Sequence, residues 1–152
     1  MNSPPQTSND NDLVLLKERE MSPNQAENKV RKILTRRFRQ PFSKQKLPLK
    51  GKPDGKKFDL VSKDKRIVGE VKSCKYGNET TGNAGYETTR KGRLIEDLSY
   101  LERLDADIRK LLVLTNRDLW TEFSGEFGDL TSVEIIHVNP RTGKISGLST
   151  TL

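Results

Sequence analysis

Two short apolar segments carry the residues best placed for chemistry. Lys57 to Ser62 and Ile67 to Ser73 read as strands joined through Lys63-Asp64-Lys65-Arg66, the pattern of a β-hairpin. With Asp64 and Lys65 as the turn, Asp59 lies directly opposite Glu70, and Lys72 points to the same face as Glu70. That face reads Lys57, Asp59 and Val61 on one strand and Val68, Glu70 and Lys72 on the other. The opposite face (Phe58, Leu60, Ser62, Ile67, Gly69 and Val71) is the side for the core. A one-residue slip would lose the arrangement. Opposed carboxylates repel across a sheet unless something compensates. A hard cation does so: Mg²⁺ takes one or two carboxylates, keeps several waters and shares phosphate oxygens with a substrate. The same residues also admit a solvent-facing hairpin in which Asp59 and Glu70 pair with Lys57 and Lys72, an arrangement that contributes little.

Elements on either side must hold this hairpin. Ser22-Pro23-Asn24-Gln25 is a helix start, with Ser as the cap and Gln three residues later. The helix that follows presents Ala26, Val30, Ile33 and Leu34 at helical spacing and runs to about Arg37, with Pro41 ending any continuation. Lys44 to Gly55, with Pro48 inside it, suits an edge strand. Lys75 to Gly85 is a polar loop. Thr88 to Leu104 is an amphipathic helix with Leu94, Ile95, Leu98, Leu101 and Leu104 on one stripe. Leu111 to Thr115 suits a buried strand, Leu119 to Phe127 a helical turn, and Ser132 to Val138 a last strand, with a tail from Pro140. The order is helix, three strands, helix, strand, helix, strand, an α/β (α+β) pattern with a mixed sheet. Residues 1–11 read as a disordered tail, 12–21 as a short helix and linker, and 22–152 as a single domain.

Phe58-Asp59-Leu60 followed by Ile67-Val68-Gly69-Glu70-Val71-Lys72 resembles the active-site hairpin of the PD-(D/E)XK nuclease superfamily. There, an acid on one strand is followed across a short turn by an acid-apolar-Lys triplet. The resemblance implies a restriction-endonuclease-like core and Mg²⁺, with Mn²⁺ as a substitute, held by Asp59, Glu70 and the backbone carbonyl of Val71. It also implies hydrolysis of phosphodiester bonds in nucleic acid, DNA above all, with Asp59, Glu70 and Lys72 as the catalytic set. Glu27, beside the apolar stripe of the first helix, is the candidate third acid; it equally suits an ion pair with Arg31, four residues on. The literal Pro53-Asp54 is followed by Gly55 and reads as a turn, so the metal acid is assigned to Asp59. Small nucleases that cut both strands often act as symmetric dimers, which makes a homodimer the analogous assembly. The alternative is a non-catalytic nucleic-acid-binding module, or a partner-dependent subunit, on the same fold.

Charge supports a polyanionic partner. The 28 Lys and Arg exceed the 21 Asp and Glu, a net charge of +7, and Arg31 to Lys57 holds eleven basic residues against one acid, Asp54. Such a block attracts phosphate backbones, with Arg36, Arg37, Lys44, Lys46, Lys50, Lys52, Lys56 and Lys57 as candidate contacts and Arg90, Lys91 and Arg93 as a second group. A basic face of this kind also suits an acidic protein. No apolar run is long enough for a membrane span, and the amino terminus lacks the pattern of a secretory signal. One cysteine, Cys74, allows no internal disulfide, so the expected setting is intracellular, the cytoplasm. Cys74 has no base partner, and His137 has no companion for a zinc site.

Overall fold

The computed structural model describes residues 21–73 and 84–150, with only the backbone of 84–89. The tail over 1–11, the helix expected within 12–21, Cys74 and Tyr76 therefore lie outside the described residues. Helix α1 (Pro23–Phe38) begins as its sequence requires. The Gln25 N–H donates to the Ser22 hydroxyl, the Ser22 N–H donates to the Gln25 side chain, and Pro23 occupies the first turn. Arg39, in the left-handed conformation, ends it. Strands β1 (Phe42–Leu49), β2 (Lys52–Ser62) and β3 (Ile67–Lys72) follow, then α2 (Ala84–Glu102), β4 (Arg109–Leu114) and α3 (Arg117–Phe127). A short 3₁₀ turn (Gly128–Leu130), β5 (Glu134–Val138) and β6 (Ile145–Ser146) complete the described chain.

The six strands form one mixed sheet in chain order. β1 to β3 are antiparallel neighbours, β3 to β5 run parallel, and β6 returns antiparallel to β5. The protein is thus a mixed α/β fold. Pro48 falls in the edge strand β1, where a missing N–H costs least. Among the described residues no helix is long and apolar enough to cross a membrane.

Three expectations need correction. First, the core does not lie on one side of the hairpin, because helices cover both faces of the sheet. On one face, Val30 and Leu34 of α1 join Leu60, Ile67, Val71, Leu111, Val113 and Ile136. On the other, Leu94, Leu98 and Leu101 of α2 join Phe58, Val61, Val68, Leu112 and Leu114. The unbroken Leu111-Leu112-Val113-Leu114 run is what a parallel strand buried on both faces requires. Phe58 and Val61, three residues apart, share a cluster because β2 is bulged. Ser43 pairs with Val61 but Gln45 pairs with Phe58, so Asp59 and Leu60 together stand opposite Lys44. Second, the chain beyond Pro140 is no tail: β6 pairs with β5, Leu148 packs on the α1-side cluster, and the Ser149 carbonyl accepts from Arg109 at 2.7 Å. Third, Ile95 of the α2 stripe is exposed, at 41%. The stripe turns with the 3.6-residue period and leaves it at the margin.

Gly69 lets β3 approach both of its neighbours. A Cβ there would sit 2.6 Å from the Leu111 carbonyl oxygen and 3.1 Å from both Leu111 Cβ and Leu60 Cδ1. Gly69→Ala should therefore lower stability by about 2 kcal/mol through overpacking, read as a reduced midpoint in urea. An unchanged midpoint would show that the strands part freely beside Glu70.

Candidate active site

β2 and β3 pair at Leu60 with Gly69 and Val61 with Val68, and this register brings Asp59 opposite Glu70 as the sequence implied. At that point side chains take over from the backbone ladder. The Asp59 N–H donates to Glu70 Oε1 at 3.3 Å, and the Val71 N–H donates to Asp59 Oδ2 at 3.0 Å. A strand residue turns its N–H and C=O to the same edge. The Lys72 carbonyl accepts from the Thr115 N–H on the β4 side, so the alternating Val71 carbonyl faces the gap beside Asp59.

Glu70 is only 4% exposed, which removes the solvent-facing hairpin from consideration. Its Oε2 lies 2.6 Å from Lys56 Nζ, and that ammonium sits 5.1 Å from the centre of the Phe58 ring and 5.2 Å from that of Tyr100. Burial, and then the neighbouring Asp59 carboxylate, push the Glu70 carboxyl up to about 7 against the opposing pull of Lys56. Lys72 pairs with Asp97 of α2 at 3.2 Å rather than with the hairpin acids. Burial alone would favour the neutral amine of Lys72. Asp97, Glu70 and Asp59 outweigh it and hold its pKa above the ordinary lysine value. Asp97 is 7% exposed, and its Oδ2 has no well-aligned hydrogen bond among the described residues. Burial raises its pKa although Lys72 pulls the other way.

Glu27 reaches the same place from α1. It pairs with Arg31 at 2.7 Å, as its spacing allowed, and also with Lys44 at 3.1 Å. Lys44 in turn lies 3.7 Å from Asp59 Oδ1, and Arg31 donates to the Asp59 carbonyl at 3.1 Å. The hydrogen bond to Glu27 and the two carboxylates raise the Lys44 pKa, against some desolvation. Asp59, Glu70, Lys72 and Glu27 thus converge where β2 leaves β3, between α1 and α2. Sequence reasoning missed Asp97. Its signal was present: it interrupts the buried α2 stripe three residues after Leu94 and four before Leu101.

The two hairpin carboxylates would hold a small divalent ion only with waters completing its shell. Among the described residues no three His, Cys, Asp or Glu side chains are grouped to hold a metal. Mg²⁺ needs less than that, since one or two carboxylates with waters suffice. The feature that would suit an ion is geometric, the Asp59 and Glu70 carboxylates opposed across the opened strand pair, while the raised Glu70 pKa comes first from burial.

The wider set divides. Arg36, Arg37, Lys46, Lys50, Lys52, Lys57 and Arg93 are exposed, whereas Lys44 and Lys56 are engaged with the acids. Arg90, expected as a surface contact, is buried, because it lies one helical turn before Leu94 on the inward stripe of α2. Lys91 pairs with Glu126 at 3.0 Å. Asp54, read as a turn, instead lies within β2, two residues after its start, and is exposed. His137 is buried, with its ring centre 5.8 Å from that of Trp120, and burial lowers its pKa: a structural strand residue.

Glu70 binds its proton more tightly in the folded chain than in the unfolded one. The stability this gives is complete below its ordinary value of 4.5 and is lost as pH rises through about 7. In metal-free urea titrations, wild type should lose about 3 kcal/mol relative to Glu70→Gln across that window. Parallel pH profiles for the two proteins would contradict the assignment.

No protein-family model matches the chain, and neither a curated protein nor a solved structure matches it.

Proposed function

We propose that the protein is a divalent-metal-dependent nuclease of the PD-(D/E)XK type, hydrolysing phosphodiester bonds in nucleic acid, with DNA as the favoured substrate. The observation that carries this is the buried Glu70 carboxyl held against Asp59 in an opened strand pair, with a charged lysine, Lys72, two residues further on. Asp59, Glu70 and the Val71 carbonyl would hold Mg²⁺. The ion would supply an activated water and neutralise charge developing on the phosphate. Lys72 stays protonated, so it donates to a phosphate oxygen rather than accepting a proton from water. Asp97 fixes that ammonium from the α2 side. Arg36, Arg37, Lys46, Lys50, Lys52 and Lys57 would hold the backbone without reading its sequence.

One observation favours the alternative of a non-catalytic binding module. Glu27, Asp59, Glu70 and Asp97 are each matched by a lysine or arginine, so the cluster is nearly neutral without any ion.

The test is a cleavage panel of supercoiled plasmid, linear duplex, single strands, a four-way junction and RNA, each with Mg²⁺, Mn²⁺ or EDTA. Cutting should require the metal and fall at least about a thousandfold in Asp59→Ala and Lys72→Ala. Binding without cutting in every lane would establish the binding module. Binding itself should weaken steeply as salt rises, and a flat salt response would remove the basic surface from the account.

A further inference from the structure

We infer that Lys44 is a displaceable counter-cation, which occupies the place of the divalent ion and passes to the nucleic-acid backbone when that ion arrives. The inference rests on the nuclease assignment of the site. Three of the four hairpin carboxylate oxygens have firm partners: Glu70 Oε1 accepts from the Asp59 N–H, Glu70 Oε2 pairs with Lys56, and Asp59 Oδ2 accepts from the Val71 N–H. The fourth, Asp59 Oδ1, faces only the Lys44 ammonium among the ion pairs described, at 3.7 Å. Lys44 also bridges to Glu27 at 3.1 Å, so one monovalent charge spans the two acids that come from different elements.

The two lysines paired with the hairpin acids are not equivalent. Lys56 is 2.6 Å from its acid, its side chain is 19% exposed, and two aromatic rings enclose it. Lys44 stands on the edge strand opposite the β2 bulge, its side chain 40% exposed. Lys56 is therefore the fixed counter-charge to Glu70, and Lys44 is the one free to leave. A divalent ion brings twice the charge to Asp59 and excludes an ammonium from the same oxygen. The released side chain remains beside Lys46, on an exposed basic edge where a phosphate would meet it.

Two readouts test this on the full chain. Electron paramagnetic resonance of free Mn²⁺ gives metal affinity without turnover. Fluorescence anisotropy on a labelled duplex, in Ca²⁺ or in EDTA, gives nucleic-acid affinity without cutting. Lys44→Met should bind Mn²⁺ about tenfold more tightly, since a competing charge is gone, while Lys46→Met on the same strand changes it less than about twofold. Lys44→Met should lose DNA affinity several-fold in Ca²⁺ and not in EDTA. Lys44→Gln and thermal melts guard against a folding defect. Unchanged or weaker Mn²⁺ binding in Lys44→Met, or the same DNA loss with and without Ca²⁺, would overturn the role of Lys44 alone. Failure of wild type and all three variants to bind Mn²⁺ would overturn the metal site itself.

Discussion

Two carboxylates are held face to face, one of them, Glu70, almost wholly shielded from water. Asp59 and Glu70 sit where β2 parts from β3, each using an oxygen to bond a backbone N–H of the other strand or its neighbour. Those bonds replace the ladder, and they fix the acids against their own repulsion. Most of the surrounding architecture makes this arrangement tolerable. Lys56, backed by Phe58 and Tyr100, neutralises the buried side of Glu70, and Lys44 with Arg31 steadies Asp59 from the open side. Burial, more than any missing counter-charge, pushes the Glu70 carboxyl up to about 7.

The fold supplies the rigidity. β3 is flanked on both sides and covered on both faces, so the backbone that carries Glu70, Val71 and Lys72 has little freedom to relax. Gly69 allows that close approach immediately before Glu70. The bulge in β2 does the opposite work at Asp59. By adding a residue opposite Lys44 it breaks the alternation of β2 at Asp59, where backbone pairing with β3 gives way to the side-chain bonds of the two acids. α1 and α2 then bring Glu27 and Asp97 to the two sides of the same opening.

Much of this was legible in the residues themselves. The hairpin register followed from period-two alternation, and the element order followed from the helix stripes, the Ser22-to-Gln25 cap and the apolar run of β4. What escaped were features that depend on a third dimension. Alternation placed Phe58 on the face opposite Val61, and only the bulge, set by pairing with β1, brings them together. The hairpin looked half-exposed because Val61 and Val68 share a face with Glu70 and Lys72, and α2 comes to cover that face from sequence-distant positions. β6 was read as tail because two residues carry no periodicity; its place is fixed by pairing with β5 and by Gly147 against the Trp120 ring. Lys56 and Lys44 were counted as surface charge, and their pairing with Glu70 and Glu27 could not be read from spacing. Asp97 was the exception, a carboxylate on an apolar stripe that spacing alone could have exposed.

The measurement that bears most directly on this account is an anomalous-scattering map from crystals of the chain soaked in Mn²⁺ at a pH above the Glu70 transition. A single strong peak is expected in contact with Asp59, Glu70 and the Val71 carbonyl, with Lys44 displaced and Lys56 still on Glu70. A map with no peak between the two carboxylates, and Lys44 still bridging Glu27 and Asp59, would contradict it. The hairpin would then be a self-neutralised structural ion cluster.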